Sequence, residues 1–359
     1  MKSRFFFYAV STMALFAFTC CSGGLKVVNL SCEYMTEPMG IDVSAPQFSW
    51  QLADAAFTRG QKQTGYQILV ASSPSLLNEK DADVWNSGKV ASDKSVFVSY
   101  TGAKLASSRA YYWKVQVWDK DGAPIGWSRT ARFVTGIMDK AEWKTAEWIV
   151  HPSAPHTKHI WFRKNFTLDG GVSSKEIFAH VASLGYHELY INGKKVDDNV
   201  LSPVLTDYQK RLFYVTYDIS PFLRKGANTV AIWFAAGWAS YDCFNMTPCL
   251  KVKLVGEKVD INSDTSWLCA ESNSEDTEKT RSFDHNGGEI VDARYAVPDW
   301  NSVKFNDTNW TSAAITPGYN DEWLEPQMIE GSKVIETIKA KSVTEVKEGV
   351  YKVDFGKNF

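Results

Sequence analysis

From residue 25 onward, apolar and polar positions alternate in short runs. Residues 46–52 set Phe48, Trp50 and Leu52 on one side and polar residues between them, the period-two pattern of a half-buried strand. Residues 66–71 and 96–100 read as two more strands. Residues 111–118 give the clearest, with Tyr111, Trp113, Val115 and Val117 on one face and a turn at Asp119-Lys120-Asp121-Gly122. Residues 131–134 close this first series. A second series follows, opened by Trp143 and Trp148. Strands are predicted over 160–166, 177–184, 186–191, 229–234 and 250–255, the run at 229–234 being apolar on both faces. Asn192-Gly193 is a type I′ hairpin signal, and a turn is expected at 225–228. Residues 270–283 are polar and acidic and are expected to form a mobile loop.

Long helical periodicity is almost absent, so the fold class is all-β. Strand spacing predicts a fibronectin-III-like sandwich over 25–137. A jelly-roll, carbohydrate-binding-like sandwich is predicted over 142–327. Residues 334–340 and 350–355 read as two strands of a third domain beginning near Gly331. Two or three strands cannot close a sandwich, so residues 331–359 are expected to be an incomplete third β domain.

The first residues differ from the rest. Lys2 and Arg4 precede an apolar run from Phe5 to Phe18, which ends at Thr19-Cys20-Cys21-Ser22. This is the layout of an export signal over 1–21, too short to span a bilayer comfortably. A cysteine straight after the apolar run fits lipid attachment at Cys20 or Cys21; a cleaved secretory peptide without lipid is the alternative. The expected location is the periplasm or the outer-membrane surface, held by a lipid anchor. Cys243 and Cys249 are close enough for a disulfide, or are two buried thiols.

Composition adds aromatics: 14 Trp, 15 Tyr and 20 Phe in 359 residues. They suit strands, and they also make flat platforms for sugar rings. The net charge of −2 argues against a nucleic-acid or anionic-membrane partner, either of which favours a basic surface. No phosphate loop, H-E-x-x-H or G-x-S-x-G is present. Glycoside hydrolysis needs two opposed carboxylates. Asp197, Asp198, Asp207, Asp218, Asp242, Asp292 and Asp299 are available, and no pair stands out as catalytic. The richest polar cluster runs from Asn192 to Tyr208. There Asp198, Asn199, Asp207 and Tyr208 could accept sugar hydroxyls, Asp198 and Asn199 could ligate calcium, or the group could simply form Asx turns. Gly237-Trp238, with Tyr241 close behind, is the second cluster; Trp238 is a stacking platform or a core residue.

Several of these strings resemble bacterial α-L-rhamnosidases of glycoside hydrolase family 78. In the first unit they are Asp83-Val84-Trp85-Asn86-Ser87-Gly88, Tyr111 to Asp119 and Trp127-Ser128. In the second, Gly185-Tyr186-His187-Glu188-Leu189-Tyr190-Ile191-Asn192-Gly193 resembles the family's G-Y-x-E-L-x-I-N-G, and Gly288 to Arg294 its G-E-x-x-D-A-R. Asp354-Phe355-Gly356-Lys357-Asn358 is similar to the D-F-G-Q-N that opens the next sandwich. Asp197 departs from the family's Gly, and Ala239 from a Tyr that Tyr241 would have to replace. The resemblance implies cleavage of terminal α-L-rhamnose on an (α/α)6 barrel that this chain does not reach, so no catalytic residue carries over. It implies rhamnose-containing glycans as partners, association with a catalytic hydrolase, and in some relatives calcium-assisted sugar binding. The expected role is the N-terminal part of such an enzyme, without hydrolysis of its own. The alternative is a stand-alone glycan-binding surface lipoprotein.

Overall fold

The computed structural model describes residues 24–169, 176–240, 246–277 and 288–358, without the side chains of Trp238 and Ser240. The leader with Cys20 and Cys21, and also Tyr241, Asp242 and Cys243, lie outside the described residues.

The first unit is a two-sheet sandwich. One sheet joins Leu25–Cys32, Gln47–Asp54 and Val98–Ser99. The other runs Met39–Ile41, Ala131–Thr135, Ala110–Trp118, Gly65–Ala71 and Trp85–Asn86 in spatial order. Alternation explains the core between them: Phe48 and Trp50 meet Tyr111, Trp113, Val115 and Val117, and the Phe48 and Trp113 rings lie 4.4 Å apart. The strand expected over 96–100 contracts to Val98–Ser99, because Phe97 takes a left-handed φ of 53° and is exposed.

The second unit is a larger sandwich of two seven-stranded sheets among the described residues. Its inner sheet centres on Cys249–Gly256, Ile177–Leu184 and Leu212–Asp218; its outer sheet centres on Tyr186–Ile191, Gly226–Ala235, Lys158–Leu168 and Leu268–Asp276. Ile177–Leu184 is buried at every position. Ile177, Ala179 and Val181 point into the core between the sheets. Phe178 packs against Ala110 and Val134 of the first sandwich, so the inner sheet is sandwiched in its turn. At Asn192-Gly193, φ values of 52° and 85° give the two left-handed residues of a type I′ turn.

Two expectations are corrected. Residues 270–276 are not loop: Leu268–Asp276 pairs with Lys158–Leu168. Polar residues stand at its buried positions, Ser272, Ser274 and Asp276, so it lacks the apolar alternation that marks a strand. Residues 334–340 form no strand. Instead Ser332–Lys333 pairs with Asn199–Val200, and a separate hairpin joins Ser342–Lys347 to Val350–Asp354, exposed throughout. Cys32, Cys249 and Cys269 are free and buried; the Cys243–Cys249 disulfide alternative rests on a cysteine outside the described residues.

Candidate functional site

The outer sheet of the second sandwich turns one face to the core and the other outward. Leu189, Ile191, Ile232, Phe234, Ile160 and Phe162 belong to the core. Strand alternation therefore sends Tyr186, Glu188 and Tyr190, then Trp233, then His159, Trp161 and Arg163, to the outer face. Two halves of that face differ.

One half is closed by the protein itself. Trp161 stacks on Trp300 at 5.2 Å, with the planes 18° apart. Arg163, fully buried, donates from Nη1 to Asp307 Oδ2 at 2.5 Å and from Nη2 to Ser302 O at 2.8 Å. Burial lowers the Arg163 pKa from its ordinary value, and the Asp307 carboxylate opposes that shift.

The other half is open. A cavity of about 480 Å³ is lined by His159, Tyr186, Glu188, Trp233, Asp276 and Glu289, with Val200 and Leu201 at its rim. The indole Nε1 of Trp233 is buried and has no hydrogen-bond partner. His159 lies edge-on to Trp233, with the ring centres 6.0 Å apart. Its Nδ1 is 2.8 Å from Ser274 Oγ and 3.5 Å from Glu289 Oε1, and its Nε2 is 3.4 Å from Asp276 Oδ1. Glu188 accepts from Lys195 Nζ at 2.6 Å and from Tyr190 OH at 2.5 Å. Glycine is required at position 237, where φ is +52° and a Cβ would stand 2.6 Å from the Tyr186 ring; a larger residue would push that ring out of the wall. An aromatic ring and carboxylate acceptors line a largely apolar hollow, a binding-site composition. They suit a neutral ligand with a flat apolar face and several hydroxyls.

The residues singled out from sequence are only partly drawn to this cleft. Asp198 is exposed and paired with Lys333 Nζ at 2.9 Å, which lowers its pKa. Asn199 Nδ2 donates to Asp197 Oδ2 at 2.5 Å, and the Asn199 carbonyl accepts from Lys195 Nζ at 2.7 Å. Lys333 holds Asp198 and Lys195 holds the Asn199 backbone carbonyl, while the buried Asn199 Oδ1 accepts no hydrogen bond; a calcium ion takes six to eight oxygens, so it would need further ligands than this pair. Among the described residues, no group of three or more His, Cys, Asp or Glu side chains could hold a metal. The following residues Val200 and Leu201 do reach the cleft rim. Asp207 receives the Gln209 N–H at 3.1 Å in a turn. Tyr208 is 1% exposed and packs with Trp143, Trp148 and Tyr319, so it offers no face to a ligand. The backbone of Trp238 lies in the Gly237–Ser240 turn beside the cleft. Sequence reasoning missed His159, Trp233, Asp276 and Glu289 as site residues. Trp233 sat in a run read as doubly buried, and Asp276 in the supposed loop.

Residues 27–139 match the family model for the Rha78A-like N-terminal immunoglobulin domain. Residues 173–336 match the model for the α-L-rhamnosidase N-terminal domain. Both sandwiches thus match N-terminal domains of α-L-rhamnosidases. An α-L-rhamnosidase of Formosa agariphila is 31% identical over 401 residues, taking in 100% of this chain and 41% of the relative. One of an Alteromonas species is 27% identical, over 99% of this chain and 40% of its own length. The structure of α-L-rhamnosidase from Dictyoglumus thermophilum superimposes with a TM-score of 0.81 at 31% identity, over 94% of this chain and 39% of that one. The Streptomyces avermitilis α-L-rhamnosidase complexed with L-rhamnose, at 22% identity and a TM-score of 0.76, shares the fold over 93% of this chain and 49% of its own. This chain thus spans between 35% and 49% of the length of the curated rhamnosidases it matches. The first sandwich, read as fibronectin-III-like, matches an immunoglobulin-type model; both are two-sheet antiparallel sandwiches.

Proposed function

We propose that this chain is the N-terminal, non-hydrolytic portion of an α-L-rhamnosidase system that degrades rhamnose-containing glycans, and that the cleft of its second sandwich holds a sugar of those glycans. The observation that carries the sugar site is the Trp233 indole on a cleft wall shared with Glu188, Asp276 and Glu289, an aromatic surface beside carboxylates. The leader supports export and, through Cys20 or Cys21, a lipid anchor that places the cleft at a membrane surface. A stand-alone surface glycan-binding lipoprotein is the second reading, favoured by the same cysteine pair.

Calorimetric titration of the mature chain with L-rhamnose tests the sugar site. Binding in the millimolar range is expected, about −4 kcal/mol, with at least a tenfold loss in Trp233→Ala. A chelator should leave affinity unchanged, because the cleft is lined by Trp233, Glu188, Asp276 and Glu289 rather than by Asp198 and Asn199. Calcium-dependent binding would move the ligand to the Asp198 loop, and no binding at high millimolar sugar would leave the chain a scaffold.

A further inference from the structure

Trp161 and Trp233 are direct cross-strand partners on Lys158–Leu168 and Gly226–Ala235. Opposite residues of an antiparallel pair share a face, so the two side chains rise from neighbouring strands of the outer face, whose backbones lie about 4.8 Å apart. That step is comparable to the span of one pyranose ring. Their surroundings differ. Trp233 lines the open cleft. Trp161 is 5% exposed, because Trp300 lies nearly parallel to it at 5.2 Å and Trp310 nearly parallel at 6.3 Å. Trp300 is flanked by Tyr190, 5.6 Å away and edge-on. The segment that carries it is pinned by Arg163, through Ser302 O and Asp307.

A flat ring parallel to an indole at that separation occupies the place a stacked sugar ring would take. We propose that Trp300 is an internal substitute for a second sugar: it covers the stacking surface of Trp161 and limits the cleft at Trp233 to one sugar unit. This rests on the reading of the cleft as a sugar site. Trp300 is then the specificity-determining residue for ligand length, although it lies outside the cleft.

The test compares methyl α-L-rhamnoside with an α-linked L-rhamnose trisaccharide, by calorimetry on the full mature chain. The unaltered protein should bind both with the same Kd, within twofold. Trp300→Ala should leave the methyl glycoside unchanged and bind the trisaccharide at least fivefold more tightly. Adding Trp161→Ala should return the ratio to one. If Trp300→Ala does not fold, Trp300→Val, which also removes the ring stacked on Trp161 but leaves less empty space, is read in the same way. If the methyl glycoside binds but the variants show no gain for the trisaccharide, or the unaltered protein already prefers it, the role of Trp300 is overturned while the sugar site stands. If the methyl glycoside does not bind the unaltered protein, the sugar site falls, and this inference with it.

Discussion

Two histidines show how polar side chains enter these cores. His187 Nδ1 lies 2.7 Å from Ser183 Oγ, and its Nε2 lies 2.9 Å from Tyr217 OH. Ser183 donates its own proton to Gly185 O at 3.1 Å. It therefore accepts from His187 Nδ1, and with the imidazole kept neutral by burial, Nε2 accepts from Tyr217 OH. His180 bridges Ser108 Oγ at 2.8 Å and Thr216 Oγ1 at 3.0 Å. Burial lowers both pKa values to about 3, with Lys253 adding to the effect at His180. The unfolded chain takes up these protons near pH 6.5, and the folded chain does not until about 3. Their contribution to stability is therefore complete above pH 6.5 and is lost as pH falls from there toward 3. The slope is about 1.4 kcal/mol per pH unit for each histidine. Urea unfolding at pH 7.0 and 5.0 should show this loss. His187→Gln should be less stable at pH 7.0 yet show a shallower decline; an unchanged slope would place the acid sensitivity elsewhere.

Among elements, what could be read in the sequence followed the chemistry of the buried side. Gly65–Ala71, Ala110–Trp118, Ile177–Leu184 and Tyr186–Ile191 bury apolar residues, and their patterns were plain. Leu268–Asp276 buries serines and an aspartate beside His159, and its register against Lys158–Leu168 is irregular. Neither hydropathy nor alternation marks it, although it builds one wall of the cleft. Trp233 was hidden for the opposite reason: nothing in a continuous apolar run tells a core indole from one that faces a hollow. The segment that covers Trp161 is likewise irregular, and its place depends on Arg163. Arg163→Ala would leave the Ser302 carbonyl without its Arg163 donor and Asp307 with only the longer contact from Asn165 Nδ2, at 3.4 Å. Breaking a buried ion pair costs about 3 kcal/mol or more. The expected result is that loss in urea unfolding, with increased proteolysis between residues 300 and 310. A change under 1 kcal/mol with no new cleavage would show that the tryptophan stack alone holds the segment.

At the scale of the whole molecule, the two sandwiches are joined by more than a linker. Tyr112 OH and the Ala110 N–H both donate to Glu176, at 2.9 and 3.1 Å. Arg132 pairs with Asp218 at 2.9 Å, and the Ile137 N–H donates to Tyr214 OH at 3.0 Å. Phe178 fills the gap between Ala110 and Val134. Each bond links a residue of the first sandwich, or of the stretch just after it, to the inner sheet of the second. Breaking the joint would expose Phe178 and leave His180 short of one partner, so neither unit is indifferent to the other. The two should unfold in a single calorimetric transition. Gly136 gives a way to test the coupling. A Cβ there would collide with Tyr214 OH and stand 2.6 Å from Gly40 O, both of them backbone or fixed ring positions at the joint. Gly136→Ala should lower the melting temperature by several degrees, about 1–3 kcal/mol, and separate the transition into two. The cleft lies on the far sheet of the second sandwich, so sugar affinity below the first transition should be unchanged. A single, merely shifted transition would mean that the joint yields as a unit with the cores; a parallel loss of sugar binding would mean that the first sandwich shapes the cleft through the inner sheet.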